Sequence, residues 1–235
     1  MLNLFEMYCY KMFRQKSLYI IWAVMFVLEV LSLSIVEKSF AELSVEMGGF
    51  YILFASIFTA IFFSADISSG FIKNYAGSVS KRKNIIVSRI AMIALQNVLT
   101  LAVMFVSLCA LAVFKGITIE ISRTLGKYYI CMFLAGLACS FLSMMYTELT
   151  RKSVSAIILT LAVTSGLVSQ LAGTISGLIS DGRFIISKYM VTGRFNQLGM
   201  ESAGKEFNIV MVISFCYIIF CVVISMISVE KRDVE

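Results

Sequence analysis

The sequence predicts an all-α membrane protein with six transmembrane helices, on three observations. Of its 235 residues, 60% are hydrophobic and only 14% are charged, more apolar surface than one water-soluble core can hide. Six apolar runs, at 18–36, 47–63, 90–114, 128–147, 154–179 and 209–229, are each near or above the ~17 to 25 residues a helix needs to cross the hydrocarbon core. The polar segments between them are short and mark no domain boundary, so residues 1–235 read as a single transmembrane domain. Proline is absent, so a break within a span has to come from glycine.

Residues 1–17 are too charged to span. Phe5, Tyr8, Cys9, Met12 and Phe13 share one helical face, with Asn3, Glu6, Arg14 and Ser17 mostly opposite, the pattern of a helix lying in the membrane interface. The apolar run that follows is long and ends in no small-x-small cleavage pattern, which excludes a cleavable signal peptide. The first span carries Glu29, the one carboxylate well inside a span. A charge at mid-bilayer costs roughly 2.5 to 3.5 kcal/mol on insertion scales, so Glu29 is neutral, partnered or facing water. It is a candidate polar group lining a conduit, with Gln96 and Asn97 of the third span as candidate partners. The other readings are an acid that reaches the headgroups from a tilted helix, and amides that glue helices together.

Between the second and third runs lies a polar, basic insert, residues 64–89, SADISSGFIKNYAGSVSKRKNIIVSR. Read as helix, Ile67, Phe71, Tyr75 and Val79 recur every fourth residue, with Asp66, Ser69, Gly70 and Lys73 on a more polar side, so the first part predicts an amphipathic docking helix. Gly77 is its expected stop and Ser80 the cap of the helix that follows. Lys81, Arg82, Lys83 and Arg89 are placed to hold the junction at anionic headgroups. The bland alternative is a solvated connector.

Later segments carry weaker signals. The loop before the fourth span alternates Ile117, Ile119 and Ile121 with polar residues, as a short extended piece does. Glu148 precedes Arg151 by three residues, a helical pair at the membrane edge. In the fifth span Ser165, Ser169, Gly173 and Gly177 recur at four-residue intervals, a small-residue seam suited to close helix contact within or between subunits. In the segment 180–207, Phe184, Ile185, Ile186, Tyr189 and Met190 are too apolar for a freely solvated loop, so it is expected to fold back as one or two short helices.

Several function classes fall away. The chain has no histidine, so an HExxH zinc site or a Ser-His dyad cannot be built. No GxxxxGK[ST] phosphate loop is present, since Gly126-Lys127 precedes Tyr128 and Gly204-Lys205 precedes Glu206. Of the six cysteines, five fall inside predicted spans without metal or disulfide spacing and read as small buried hydrophobes. The net charge of +6 is scattered between spans, as headgroup anchoring requires, and does not predict nucleic-acid binding. Twelve of the 20 Lys and Arg fall on the N-terminus, second loop, fourth loop and C-terminus, which predicts cytoplasmic termini for a multi-pass protein of the cell membrane.

Asp66, three intervening residues, Gly70, then Phe71-Ile72-Lys73-Asn74, Ser80-Lys81-Arg82 and Ser88-Arg89, together resemble the first cytoplasmic loop of the ATP-binding-cassette type-2 permease family. In that family an acid four residues before Gly, a short coupling helix and a Ser-Arg pair precede the third span. Here the acid is Asp where Glu is usual, and the common Pro before Ser-Arg is missing. The resemblance implies an N-terminal interfacial helix, a cytoplasmic coupling helix and short external re-entrant helices at 180–207. It implies docking of ATP-binding-cassette ATPase subunits through Asp66, Ile67, Gly70, Phe71, Lys73, Tyr75 and Arg82, with ATP and Mg held on that partner and no cofactor on this chain. It also implies a second permease subunit, identical or homologous, contacted through the fifth span. Small permeases of this kind resemble those that export peptides or remove antimicrobial peptides from bacterial membranes, so the expected cargo is amphipathic or lipophilic. The alternative is a six-span solute-binding or scaffold protein using Glu29 and Asn97 as a polar ligand site. A membrane-embedded enzyme would need a convergent nucleophile and base, which the sequence lacks.

Overall fold

The computed structural model describes residues 2–35, 39–68, 83–150, 152–179, 186–200, 202 and 204–231. Among these the chain is helical, with no strand: α1 (Leu2–Arg14), α2 (Lys16–Ile35), α3 (Phe40–Ser68), α4 (Lys83–Lys115), α5 (Arg123–Thr150), α6 (Ser153–Thr164), α7 (Leu167–Ile179), a 3-10 turn (Ile186–Tyr189), α8 (Val191–Phe195) and α9 (Gly204–Lys231). Five of these helices, α2, α3, α4, α5 and α9, are long and apolar enough to cross a membrane. The pair α6 and α7, bent by 59°, makes a sixth if it is one broken span. This is the architecture of a multi-pass membrane protein.

Helix ends follow local chemistry. A capping box starts α3: the Ser39 amide donates to Glu42 Oε2 at 3.0 Å, and the Glu42 amide to Ser39 Oγ at 3.4 Å, which satisfies donors that the first turn leaves orphaned. Ser122 Oγ accepts from the Leu125 amide at 3.1 Å at the head of α5. Gly116, at φ +68, ends α4. Its amide bonds Val113 O at 3.1 Å and the Ile117 amide bonds Ala112 O at 2.9 Å, the paired bonds of a Schellman cap.

Two helices outrun their expected spans. No breaker separates Phe63 from Ser68, so α3 continues through Asp66 and Ile67. These two residues therefore belong to the last turns of a membrane helix and not to a separate docking helix. Likewise α4 already runs from Lys83, which places Arg89 inside it. The rest of the expected docking segment, including Gly70, Phe71, Lys73, Tyr75, Gly77, Ser80 and Arg82, lies outside the described residues.

The fifth span is not one straight helix. It breaks between Thr164 and Leu167, where Gly166 takes φ +81, a conformation that L side chains rarely adopt. The expected seam is split by this break: Ser165 is exposed at the end of α6, Ser169 is buried in α7 and Gly173 is half-buried. Gly177 lies near the end of α7, and its surroundings are outside the described residues. Ser169 meets α8, because a Cβ on Gly193 would stand 3.1 Å from Ser169 Cβ and 2.4 Å from Ser187 O. The segment after α7 does fold back: Val191, Thr192, Gly193 and Phe195 are buried, and the Phe195 ring lies 5.4 Å from that of Tyr128. Phe184 and Ile185 lie outside the described residues, and 117–122 has no regular secondary structure.

Helix α5 is the centre of the bundle, packed against α3, α4, α6, α8 and α9. Its buried residues include Ala135, Gly136, Ala138, Cys139, Ser140 and Ser143, small side chains that let neighbouring backbones approach closely. Within this chain a close-packing surface thus lies in the fourth span, in addition to the contact that Ser169 of the fifth span makes with α8. By contrast, Ile20, Phe26, Val27 and Leu31 of α2 and Val212, Phe215, Ile219 and Phe220 of α9 are exposed, as lipid-facing residues are.

A Cβ on Gly136 would come within 2.6 Å of Tyr51 Cε1 and 3.1 Å of Asn97 Oδ1. Tyr51 is fully enclosed and has no room to swing aside. Gly136→Ala is expected to destabilise the fold by about 1 to 3 kcal/mol, seen as a lower midpoint of thermal unfolding in detergent. An unchanged midpoint would contradict this packing.

Candidate functional site

The last turns of α3 and α5 and the first turns of α4 meet α1 at one end of the bundle, and four charged side chains converge there. Arg89 of α4 is 2% exposed and donates from Nη1 to Glu148 Oε1 of α5 at 2.6 Å. Lys11 of α1 donates to Asp66 Oδ1 of α3, and the Asp66 side chain is fully buried. Arg89 Nε donates to the Tyr8 hydroxyl of α1 at 3.4 Å. Two positive and two negative groups thus share one enclosed site and cancel, the condition under which buried charges are tolerated.

Local sequence explains the arrangement. Leu4, Tyr8 and Met12 form the buried stripe of α1, spaced i, i+4, i+8. Phe5 and Cys9, expected on that face, flank it half-buried, and Phe13 is exposed. Lys11 lies next to the stripe, its stem covered and its ammonium 5.3 Å from the Phe62 ring centroid. The neighbouring Phe63 takes the other cation, with Arg89 Cζ 5.0 Å from its centroid. The consecutive aromatics of α3 thus seat one cation each, adding quadrupole attraction to the ion pairs. Burial raises the Tyr8 hydroxyl above its ordinary titration range, opposed by the Arg89 charge, so Tyr8 stays protonated and neutral.

The structure re-pairs several residues singled out from sequence. Asp66 points into the bundle towards Lys11, away from any aqueous docking face. Ile67 is half-buried one residue further on. Glu148 reaches Arg89, 59 positions away in sequence, where the sequence suggested Arg151, a residue outside the described ones. Lys11 and Tyr8 were not recognised as members of a site.

Glu29 and Asn97 do not form one polar site. Asn97 Nδ2 donates to Ile93 O at 2.9 Å and Ser140 Oγ at 3.1 Å, while Tyr51 donates to Asn97 Oδ1 at 3.1 Å. Gln96 Nε2 donates to Thr100 Oγ1 at 3.3 Å, and the Trp22 indole donates to the same oxygen at 3.3 Å. This amide layer binds α2, α3, α4 and α5 together, as helix glue. Glu29 lies beside Ser107, ten residues further along α4 than Asn97, or about 15 Å at 1.5 Å per residue. The amides' bonds are satisfied within the bundle, which leaves the solute-capture reading without a shared ligand site.

A sequence signal for these layers does exist. Arg89, Gln96, Thr100 and Ser107 follow one another on α4 at i, i+7, i+11 and i+18, which is one helical face within about 20°. A polar stripe on an otherwise apolar span has to be buried against partners.

Compared with known proteins, this chain matches no family model and no curated protein.

Removing one member of the Arg89–Glu148 pair takes from the other its directly bonded counter-charge inside the bundle. Arg89→Met or Glu148→Leu alone is expected to cost about 3 to 5 kcal/mol, and the double variant much less than the sum. Chemical unfolding of the four proteins in mixed micelles checks this, and additive losses would show that the pair is not coupled.

Proposed function

We propose that this chain is the membrane-spanning permease subunit of an ATP-driven exporter, worked by mechanical coupling to separate ATPase subunits that hold ATP and Mg. One observation carries the reading: both helices that lead into the segment 69–82 are clamped at their roots. On one side Asp66, three residues before the segment, is bonded to Lys11 of α1. On the other, Arg89, seven residues after it, is bonded to Glu148 of α5 and Tyr8 of α1. A push on 69–82 would therefore move α1, α3, α4 and α5 together and would not be lost as local flexing.

In this reading the end of the bundle that carries α1 faces the cytoplasm and α8 faces outside, in keeping with the distribution of Lys and Arg. Phe71 and Tyr75, with Gly70, Lys73 and Arg82 around them, dock in a cleft of the ATPase. Its closure on ATP shifts the clamped helix ends, and the repacking opens a path between two permease subunits. The side chains of this permease supply no reacting groups. The broken fifth span and the exposed apolar face of α2 are the surfaces offered to a second permease subunit. An amphipathic peptide or other lipophilic compound is the cargo class that suits such a lipid-facing path. The resemblance of the 64–89 insert to type-2 permease loops supports the same reading.

Tagged protein purified from its native membrane is expected to bring down an ATP-binding-cassette ATPase. Phe71→Asp should cut that recovery at least about tenfold, the effect of losing an anchor worth 1.4 kcal/mol or more, with membrane insertion unchanged. Undiminished recovery would remove the docking assignment. In a cysteine-free background Ser78→Cys should resist an impermeant reagent in whole cells while Ser202→Cys reacts, and the reverse would invert the topology.

A further inference from the structure

The corner between α1 and α2 carries two cations outside the charge cluster. Only Gln15 separates the helices, and the chain turns there on two bonds, the Gln15 amide to Met12 O and the Leu18 amide to Gln15 O, each at 3.2 Å. Arg14 ends α1 and Lys16 begins α2, and both are exposed. Among the described residues neither is paired with a carboxylate. Of the acids near the corner, Asp66 is bonded to Lys11. Glu6 stands on α1 two turns before Arg14, about 12 Å back along the helix.

Arg14 is held in place by its own helix. Its Nη1 donates to the Tyr10 hydroxyl at 2.9 Å, and its Cζ lies 5.8 Å from the Tyr10 ring centroid. A guanidinium has five N–H donors, so the bond to Tyr10 orients the group and leaves the other donors to an outside acceptor. A planar fork of this kind matches a phosphate. Two residues on, the Lys16 ammonium adds a second positive charge. Tyr19 completes the ledge: its hydroxyl donates to Phe13 O at 2.8 Å, which ties the first turn of α2 to the end of α1.

Beyond this ledge the chemistry changes from polar to apolar. Helix α2 is long and apolar enough to cross a membrane. Along it Tyr19, Ala23, Phe26 and Val30 are exposed at i, i+4, i+7 and i+11, which makes one lane. From Tyr19 to Val30 the lane runs about 16 Å, close to one leaflet, or half of the ~30 Å hydrocarbon core. A cationic ledge above an apolar lane one leaflet long has the outline of a phospholipid. A free phosphate would use the ledge and leave the lane uncovered. A zwitterionic lipid brings its own cation beside the phosphate, which Arg14 and Lys16 repel, so the complementary headgroup carries net negative charge. The parallel lane of Ile20, Val24, Val27 and Leu31 stays open to a second subunit.

We propose that the α1–α2 corner is a binding site for one anionic phospholipid, its phosphate held by Arg14 and Lys16 and an acyl chain laid along Tyr19, Ala23, Phe26 and Val30. The bound lipid fastens α1 to α2. Because Tyr8 and Lys11 of α1 bond Arg89 and Asp66, the same lipid steadies one wall of the charge cluster. The site invokes no ATPase and no cargo, so it stands independently of the exporter reading.

The test uses the full-length protein and native mass spectrometry, with phosphatidylglycerol or phosphatidylcholine of the same chains as the probe. Wild type is expected to hold one phosphatidylglycerol at least about tenfold more tightly than phosphatidylcholine, the effect of two cations near an anionic headgroup. Arg14→Gln combined with Lys16→Gln should lose that preference. Arg123→Gln combined with Lys127→Gln, both exposed near the head of α5, should keep it. An unchanged preference in the first pair, or equal losses in both pairs, would overturn the proposal. Loss of a dimer without loss of lipid would also overturn it and make the corner a contact between copies. The single tryptophan, Trp22, has its ring 5.9 Å from that of Tyr19 and gives a readout in the unaltered protein. In nanodiscs, phosphatidylglycerol with brominated chains should quench its fluorescence at a lower mole fraction than brominated phosphatidylcholine does. Should the variants fail to insert, this comparison decides alone, and equal quenching by the two lipids overturns the site.

Discussion

One face of α4 imposes its terms on the whole bundle. From Arg89 to Ser107, about five helical turns, it carries polar side chains through a region where unpaired polar groups are costly. Each has to find a partner. Arg89 meets α1 and α5, Gln96 and Asn97 meet α3 and α5, and Thr100 meets α2, while Ser107 bonds carbonyls of α4 itself. The order of helices around α4 is in this sense written by hydrogen bonding. Apolar contact alone would choose poorly between neighbours, because lipid tails satisfy a leucine as well as another helix does.

The three polar layers differ in kind. The layer nearest α1 is ionic and neutral overall, and it ties α1 to the ends of α3, α4 and α5. The middle layer is made of amides and hydroxyls whose bonds close among themselves, which makes it a rigid fastening. Towards the far end Glu29 is buried without a hydrogen-bond partner among the described residues. The helices on either side of 69–82 are tied at the charged end through Asp66 and Arg89.

Much of the fold was legible in the sequence. The apolar runs read as helices because each is long enough to cross a bilayer and no proline interrupts it. The return of the segment after α7 to the bundle was expected, but through other residues: Ile186 and Tyr189 stay exposed, and Val191 and Phe195 are the apolar side chains that are buried. The break in the fifth span had to fall at a glycine once proline was absent, and it does, at Gly166. The small-residue seam of the fifth span is divided by the break at Gly166, and within the chain its buried member Ser169 packs on α8, a partner that spacing along one helix does not name. A close approach is also made by α5, where Cys131, Ala135, Cys139, Ser143 and Thr147 are buried at four-residue intervals, a repeat interleaved with bulky residues and so less visible in the sequence. The docking helix began too early in the reading of 64–89, since Ser64 and Asp66 look like loop chemistry until a partner for Asp66 is known.

Composition and run length alone determined that this chain is helical and multi-pass, because the bilayer sets one length scale and forbids unpaired backbone. The same information could not decide who bonds with whom. Glu148 and Arg89 lie 59 positions apart and Lys11 and Asp66 lie 55 apart, and no local pattern carries a pairing over that distance. Only the tertiary structure, by bringing α1, α3, α4 and α5 to one end, turned four scattered charges into a neutral cluster.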